Sequence, residues 1–418
     1  MRLVLYTGKG GVGKTTTAAA TALAAATRGR RTLIVSADAA HSLGDVLGQR
    51  LSPDPTPIRL PSGSGEESEA AEPAASGGLL EAAELDARVA MRRHWGRVRD
   101  FLVRLFVHQG IDPVVADELA LLPGAEEITT LLALEEHAAS GRYDFAIVDC
   151  APTDSALRLL SLPDIAEGSL RLVLPALRTF AALAAPVAQR LVELPLPDSA
   201  VFQEADRLLR GSLGDLRARI TARDTTVRLV TTTERMVIDE SRRTQTELGL
   251  FDIACDAVVV NRMLPDVAAE EAFFRDWLRV QGERVAELRE VFAPLPLLEA
   301  PLQDDEVRGP SALARHGAAI FRRCEPDAIL CRSQPARFRR RGRDAVMELP
   351  LPGADPSGLD VVKIDDELAV TAGSRRRRVK LPRRVAALEL RRARLDGGRL
   401  IVDFGAEAAE PAPAPGPP

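Results

Sequence analysis

The sequence predicts an α/β domain with a mostly parallel, doubly wound sheet, followed by a small antiparallel β-sandwich domain. Two observations carry this prediction. Short, continuously apolar runs alternate with helical segments over residues 1–330, as in sheets covered by helices on both faces. After about residue 335, apolar residues recur at every second position, which is typical of antiparallel strands. A chain of 418 residues has room for two or three such units.

The parallel sheet begins with a βαβ unit. Residues 3–6 form an apolar run that ends in a glycine-rich turn, and an alanine-rich stretch at 15–27 leads to a second apolar run at 32–35. This order predicts a strand, a loop, a helix and a strand. Later apolar runs predict three further strands, at 145–148, 227–230 and 257–260.

Two helical blocks interrupt the strand series. Residues 52–78 are rich in proline, glycine, serine and glutamate and predict a mobile loop. We expect residues 79–134, together with the leucine- and alanine-rich stretch 172–220, to form a helical subdomain beside the sheet. The apolar side chains around Trp95 are a candidate lining for a groove that binds a hydrophobic client protein.

Two hairpins are predicted near the C-terminus. Alternating apolar residues flank the acidic turn at 365–367 and the Asp-Gly-Gly turn at 396–398. We therefore expect residues 335–405 to form the separate β domain and the alanine- and proline-rich residues 406–418 to be a disordered tail. The arginine run at 375–378 indicates an exposed loop or an edge strand.

The composition excludes several classes of protein. The 55 basic and 60 acidic side chains give a formal charge of -5, which argues against binding to the phosphate backbone of nucleic acids. The 4 cysteines are dispersed and too few for a disulfide framework. There is no apolar run of the roughly 20 residues that a membrane-spanning helix needs. We expect a cytoplasmic protein with no nucleic-acid partner.

Residues 8–15 match the phosphate-binding pattern G-x-x-x-x-G-K-[ST]. Glycines in this pattern let backbone N–H groups surround a phosphate chain, while the lysine reaches the terminal phosphates and the hydroxyl holds magnesium. Lysine is scarce in this chain, yet Lys9 and Lys14 both lie in this loop. The pattern predicts a P-loop NTPase fold that uses ATP and Mg²⁺, with Thr15 on the metal. The predicted nucleotide-binding residues of the loop are Gly8, Lys9, Gly10, Gly11, Val12, Gly13, Lys14, Thr15 and Thr16.

The same glycines allow a second interpretation. Gly8, Gly10 and Gly13 also satisfy G-x-G-x-x-G, and Asp38 follows the next strand, where a dinucleotide-binding fold keeps its ribose carboxylate. A dinucleotide-dependent oxidoreductase has no use for a lysine and a threonine at the start of the helix. No catalytic proton donor for that chemistry is evident in the sequence either, so the triphosphate interpretation is preferred.

Lys9 makes the motif resemble the deviant P-loop, whose additional lysine reaches the nucleotide of a facing subunit. A second ammonium group can neutralise charge that develops on the transferred phosphoryl group, as an arginine finger does. The resemblance implies a nucleotide-sandwich homodimer in which Lys9, Lys14 and Asp38 are the catalytic residues.

Three further segments resemble the ArsA/Get family, which comprises arsenite-pump and tail-anchored-protein targeting ATPases. Residues 36–45 resemble the family's switch I, and residues 149–163 resemble its switch II. Glu234 and the segment 259–262 resemble its nucleotide-base pocket. The resemblance covers about residues 1–322. It implies Mg-dependent ATP hydrolysis coupled to a hydrophobic client protein or to an anion-pump partner at the membrane.

The resemblance also implies roles for single residues. Asp38 would orient and polarise the attacking water, and Asp149 would hold the magnesium shell through a water molecule. Asn261 and Glu234 would contact the adenine or the ribose. The chain departs from the family at Ala39, where the family has proline, and at Cys150, where switch II has threonine.

Two features separate this chain from particular branches of the family. The targeting branch carries a C-x-x-C zinc clasp after the base-pocket asparagine, but residues 265–288 contain no cysteine, so no structural zinc is expected. The C-terminal hairpins resemble the α-crystallin (small heat-shock) domain that is appended to some single-half members.

A different functional class shares the deviant P-loop. Partitioning and division-site ATPases act as switches on DNA or on a membrane surface. Such proteins need a basic patch or a terminal amphipathic helix. This C-terminus is instead rich in predicted strands and then acidic, so this class is kept only as the alternative.

Overall fold

The computed structural model describes residues 1–36, 42–61, 78–85, 87–120, 132–133, 135–137, 140–150, 199–206, 213–332, 336–342 and 344–405. The chain divides into two units. The first unit comprises residues 1–241 and 255–332, and the second unit comprises residues 242–254 and 333–418.

An eight-stranded sheet forms the centre of the first unit. Its strands are β1 (Arg2–Thr7), β2 (Arg31–Ser36), β3 (Thr56–Pro57), β4 (Leu79–Glu84), β5 (Phe145–Asp149), β6 (Thr225–Thr231), β7 (Cys255–Met263) and β8 (Leu297–Pro301). They lie in the order β3-β4-β2-β5-β1-β6-β7-β8. All neighbours are parallel except the short edge pair β3 and β4. The predicted parallel, doubly wound α/β fold is confirmed.

The central strands are buried along their length. Every residue of β5 and β6 is buried, as is all of β7 up to Asn261. These strands are the continuously apolar runs that predicted a sheet covered on both faces.

Strand β4 corrects the predicted helical block, which began at residue 79. Its sequence, LLEAAE, consists of good helix formers, so its local preference favours a helix. The structure pairs it with β2 and buries its four inner residues, because tertiary burial outweighs a weak local preference. Residues 56–57, inside the predicted mobile loop, form β3 against it, and residues 62–77 lie outside the described residues.

The helices of the first unit are α1 (Lys14–Thr27), α2 (Ser42–Leu47), α3 (Ala87–His108), α4 (Pro113–Leu119), α5 (Ser199–Asp206), α6 (Leu213–Ile220), α7 (Arg235–Leu250), α8 (Ala272–Val291) and α9 (Gly309–Ile320). Helix α7 continues into the second unit from residue 242. Helices α3 to α6 lie within the two predicted helical blocks, much of which is outside the described residues. Within the described part of the chain, no helix is long and apolar enough to cross a bilayer.

The second unit contains two antiparallel sheets. Its strands are β9 (Arg337–Arg341), β10 (Asp344–Pro350), β11 (Leu359–Ile364), β12 (Glu367–Ala372), β13 (Arg375–Lys380), β14 (Glu389–Asp396) and β15 (Arg399–Gly405), with the short helix α10 (Arg383–Ala386). One sheet has the order β14-β15-β10-β9 and the other β11-β12-β13. The predicted hairpins are β11–β12 and β14–β15, and the arginine run forms the edge strand β13. Residues 406–418, the predicted tail, lie outside the described residues.

The C-terminal part of helix α7, from residue 242 onward, belongs to the second unit. Thr246 donates a hydrogen bond to the carbonyl of Pro352 at 2.6 Å, and Arg375 pairs with Glu247 at 3.3 Å. The unit therefore joins a segment from the middle of the chain to the C-terminal strands, a boundary that the sequence does not predict.

Candidate functional site

The glycine-rich loop connects β1 to α1 at the carboxyl edge of the sheet. Gly8 and Gly13 both adopt positive φ, at 153° and 89°. A Cβ on Gly8 would lie 2.2 Å from the carbonyl oxygen of Val230, and one on Gly13 would lie 2.3 Å from the amide nitrogen of Asn261. A larger residue at Gly8 would displace the loop from β6, and one at Gly13 would push the Asn261 side chain away and strain the left-handed backbone.

The start of helix α1 is arranged for an anion. Gly13 caps the helix in the left-handed conformation without a side-chain hydrogen bond to the first turn. Lys14 is buried, and its ammonium group donates to the carbonyl of Lys9 at 3.3 Å, across the mouth of the loop. Helix N-termini with free N–H groups and a nearby ammonium bind phosphate groups. The residues present therefore fit a triphosphate chain.

The predicted metal ligands lie at the same edge. The Thr15 hydroxyl is 3.2 Å from the hydroxyl of Ser42. Asp149 is fully buried at the end of β5, in register with Tyr6 of β1 and Ser36 of β2. Magnesium in phosphate sites takes one or two protein oxygens together with phosphate oxygens and water. A hydroxyl and a carboxylate at this edge fit that donor set.

Cys150, the departure from the family's switch II, follows Asp149 directly. Its side chain is buried, and its backbone N–H donates to the carbonyl of Tyr6 at 3.1 Å. Burial, reinforced by the charge of Asp149, raises the pKa of the thiol well above its ordinary value, although Lys14 opposes the shift. The thiol therefore stays neutral at this position.

Asp38 lies outside the described residues, in the segment 37–41 between β2 and α2. The helix that follows is held from two sides. Glu84 accepts a hydrogen bond from the N–H of Gly44 at 2.8 Å, and Arg308 donates to the carbonyl of Asp45 at 2.9 Å. The end of the switch I-like segment is thus anchored to β4 and to the start of α9.

Asn261 and its neighbour hold the glycine-rich loop. The Asn261 amide donates to the carbonyl of Val12 at 2.8 Å, and its oxygen accepts from the N–H of Arg262 at 2.9 Å. The Arg262 guanidinium donates to the carbonyl of Gly11 at 2.8 Å. The structure brings Asn261 to the predicted site, and its amide there contacts the loop backbone.

An open cavity of about 530 Å³ lies beside the loop. Its lining includes Thr16, Asn261, Arg308 and His316. Burial lowers the pKa of His316, so its imidazole stays neutral. Glu234 is exposed in the connection between β6 and α7, and β6 pairs with β7, the strand that carries Asn261, so both predicted base-pocket residues belong to the carboxyl ends of neighbouring parallel strands.

Two residues that line the cavity were not predicted as site residues: Arg308 and His316. Arg262 belongs to the segment 259–262 that resembles the nucleotide-base pocket, but no role was predicted for it. Arg308 and His316 carry no local motif, so sequence reasoning had no means of finding them.

The side chain of Lys9 is not directed at the loop centre. Its ammonium group lies 3.9 Å from a carboxylate oxygen of Glu240 on α7, and both side chains are about one-third exposed, at 35% and 28%. Lys9, the additional lysine of the motif, is thus paired with a carboxylate of its own chain at the rim of the loop.

The two buried cysteines, Cys150 and Cys255, lie at opposite edges of the sheet. Cys150 follows the carboxyl end of β5, whereas Cys255 begins β7 at the opposite edge of the sheet. The described residues contain no group of three or more histidine, cysteine, aspartate or glutamate side chains placed to hold a metal ion. The two buried thiols therefore do not form one site.

Comparison with known proteins identifies the family. The model of the anion-transporting ATPase (ArsA) family matches residues 1–322, and the model of the HSP20-like domain found in ArsA matches residues 342–404. A protein of Aquifex aeolicus that is named as an arsenical pump-driving ATPase is 31% identical over 409 residues, which are 96% of this chain and 99% of that protein.

Two more relatives extend the comparison. One from Chlorobaculum tepidum, also named as an arsenical pump-driving ATPase, is 33% identical over 93% of this chain and 92% of its own length. A Trypanosoma cruzi protein named ATPase ASNA1 homolog is 26% identical over 78% of this chain and 93% of its own length. These matches do not favour the dinucleotide-dependent or the partitioning interpretation. The chain belongs to the anion-transporting ATPase (ArsA) family and is an ATPase with an HSP20-like C-terminal domain.

Proposed function

We propose that this ATPase hydrolyses ATP in a Mg-dependent reaction as a nucleotide-sandwich homodimer. We further propose that its nucleotide state controls the binding of a hydrophobic client protein or of an anion-pump partner. The observation that carries the proposal is the geometry of the loop between β1 and α1, where close-packed glycines and buried Lys14 surround an uncapped helix N-terminus.

The triphosphate would lie over residues 8–16, with loop N–H groups and Lys14 on its terminal phosphates. The Thr15 hydroxyl and, through a water molecule, Asp149 would hold magnesium, which neutralises phosphate charge when bound. Asp38 would orient the attacking water and take its proton as the bond from the γ-phosphorus to the ADP oxygen breaks. Cys150 stays a neutral thiol and adds no charge to this edge.

The nucleoside fits the neighbouring cavity. A volume of about 530 Å³ is in the range of small-molecule sites. Asn261, Arg308 and neutral His316 offer it polar groups, and exposed Glu234, which follows the strand next to that of Asn261, would contact the adenine or the ribose as well.

Lys9 would act on the nucleotide of the second subunit. In the isolated chain it pairs with Glu240 at 3.9 Å. That pair must open before the ammonium group reaches across an interface. A partly exposed pair of this length is worth at most about 1 kcal/mol, so opening it is a small cost.

Two of the matches bear on the kind of partner that this ATPase binds. Relatives named as arsenical pump-driving ATPases favour an anion-pump partner. The match to an HSP20-like domain favours a hydrophobic client protein. A role as a switch on DNA or on a membrane surface is not supported by either.

The test compares Asp38→Asn, Lys9→Ala and Lys380→Ala, the last being an exposed lysine on β13. Asp38→Asn should bind ATP and accumulate as a dimer with slowed turnover, whereas Lys9→Ala should fail to dimerise with ATP. Lys380→Ala should behave as the parent chain. Cross-linking of co-purified proteins to the Asp38→Asn dimer would then identify the partner. Full turnover in Asp38→Asn, or turnover independent of Mg²⁺, would refute the proposed mechanism.

A further inference from the structure

Two neighbouring side chains at the end of strand β7 reach the same glycine-rich loop. The Asn261 amide donates to the carbonyl of Val12, and the Arg262 guanidinium donates to the carbonyl of Gly11, both at 2.8 Å. Successive side chains of a regular strand point to opposite faces of the sheet. A regular strand would therefore bring only one of the two to the loop.

A β-bulge removes this restriction. The pairing of β7 with β8 shifts between Val260 and Met263, because β7 places two residues there opposite one residue of β8. The two residues are Asn261 and Arg262. Bulges re-aim side chains and are over-represented next to active sites. Here the bulge lets both side chains reach the loop.

The backbone of Arg262 is strained. Its φ is 60°, in the left-handed region, where the equivalent position of one class of bulge is a glycine. A larger residue there costs roughly 1–2 kcal/mol. Among the described residues, three residues other than glycine have positive φ, and the other two are aspartates, a type that tolerates this conformation. The fold thus bears a strain that glycine would avoid, and in return a guanidinium group lies at the loop.

The two contacts fix the direction of backbone N–H groups. The peptide bonds that join Gly11, Val12 and Gly13 are trans and planar, so each N–H points away from the carbonyl of its own peptide. The donor that holds the carbonyl of Gly11 towards β7 therefore turns the N–H of Val12 away from β7. The contact to the carbonyl of Val12 does the same for the N–H of Gly13. Successive N–H groups that point to one side form an anion-binding concavity.

We propose that Arg262 is a positioning residue of the ATPase, which together with Asn261 aims two consecutive loop N–H groups at the phosphate chain. This inference rests on the proposed nucleotide site. Donors that are already oriented stabilise a charge without the cost of reorganising the loop. A guanidinium group suits the task because it stays charged and presents its donors in a rigid fork.

The first test removes the side chain and keeps the backbone. Arg262→Asn introduces a residue that tolerates positive φ but is too short to reach Gly11. Relief of the strain offsets the lost hydrogen bond, so the chain without nucleotide should unfold at the temperature of the parent or slightly above it. Its affinity for ADP should nevertheless fall about tenfold. Scanning and titration calorimetry measure the two quantities, and a joint loss of stability and affinity would make Arg262 merely structural.

A conservative variant and a matched control accompany this test. Arg262→Lys keeps the charge and a long donor, so it should bind ADP within about threefold of the parent. Arg322 is another exposed arginine of the first unit, and its guanidinium donates to the carbonyl of Ala319 at 3.0 Å. Arg322→Asn removes the same charge away from the loop and should leave the affinity for ADP unchanged.

Salt separates position from charge. Loss of an exposed positive charge weakens the attraction of phosphates, but this effect fades as the ionic strength rises from about 0.1 M to about 1 M, where the Debye length falls from about 10 Å to about 3 Å. The ratio of the ADP affinities of the parent and of Arg262→Asn should stay constant over this range. A ratio that approaches one at high salt would show that Arg262 acts as a charge alone and would refute the positioning role.

Lys14→Ala separates this inference from the proposed nucleotide site. If Lys14→Ala binds ADP as tightly as the parent, the nucleotide does not lie on the loop and both proposals fail. If Lys14→Ala loses affinity while Arg262→Asn keeps that of the parent, the contact to Gly11 does not position the loop, and the proposed site stands.

Discussion

The two units of this ATPase differ in whether they bury charged side chains. Five charged side chains are buried among the described residues of the first unit: Lys14, Glu81, Asp149, Arg228 and Asp256. Among the described residues of the second unit, no lysine, arginine, aspartate or glutamate is buried, and its buried polar residues are Thr244, Gln245 and Thr246. The buried described residues of the second unit are thus apolar or uncharged. The first unit also buries charged side chains, and a buried charge needs a partner of opposite charge or a bound ligand.

The buried charges of the first unit belong to different tasks. Lys14 and Asp149 lie at the carboxyl edge, beside the proposed phosphate site. Asp256, at the start of β7, pairs with Arg228 at 3.2 Å and with Arg2 at 2.9 Å. The guanidinium of Arg228 also donates to the carbonyl of Pro326 at 2.8 Å, so this cluster ties the segment after α9 to the sheet. The first cluster belongs to the proposed phosphate site, and the second holds elements of the first unit together.

The largest expected effect is on activity. Lys14→Ala should lower ATP turnover at least about 100-fold, because the loop loses the charge that faces the phosphates. Lys380→Ala, in the second unit, should leave the turnover rate within error of the parent chain. Steady-state phosphate release measures both variants. A similar loss in the two variants would erase the proposed distinction between the units.

Arg228→Met should lower the free energy of unfolding of the first unit by about 3 kcal/mol, because it removes one of the two guanidinium groups that pair with the buried Asp256 carboxylate and leaves Arg2 as the other. The control is Arg378→Met, which removes an exposed pair of 3.5 Å with Glu367 on the edge of the second unit. It should change stability by no more than about 0.5 kcal/mol. Urea unfolding, monitored by circular dichroism, measures the stability of both variants. Equal losses of stability in the two variants would contradict the prediction.

Acid should affect the units unequally. All 5 histidines lie in the first unit, and burial lowers the pKa of His316. The unfolded chain therefore takes up a proton below about pH 6.5 that the folded chain resists, so this stability is complete above that pH and falls below it. The loss of thermal stability from about pH 7.5 to about pH 5.5 should shrink in His316→Asn. An unchanged pH dependence in that variant would assign the effect to other groups.

The smallest effect is expected at the rim of the loop. Glu240→Gln removes the partner of Lys9, a pair worth at most about 1 kcal/mol, and should raise ATP-dependent dimer formation no more than about fivefold. Glu247→Gln, on the same helix but in the second unit, should not change dimer formation. Sedimentation with an ATP analogue measures both, and a weaker dimer in Glu240→Gln would show that the pair supports the active form.

Elements that depend on nearby residues could be predicted from the sequence, whereas elements that depend on distant residues could not. Strands β1, β5 and β6 were predictable because continuous apolar runs match full burial in a parallel sheet. Strand β4 was predicted wrongly as helix, since its alanines and glutamates favour a helix until β2 pairs with them. The roles of Asp38, Asp149 and the loop residues stay predictions.

The sequence by itself determined the family and the loop, because the positions of glycine, lysine and threonine along a short segment specify both the backbone conformation and the charge at a phosphate site. Only the tertiary structure decided which distant side chains join that site. Arg308 and His316 reach the cavity because helix α9 lies beside it, hundreds of residues from the loop. Helical spacing alone also could not tell whether Phe273 and Trp277 belong to a core or to a surface. The fold leaves them exposed, since helix α8 is packed only along its second half.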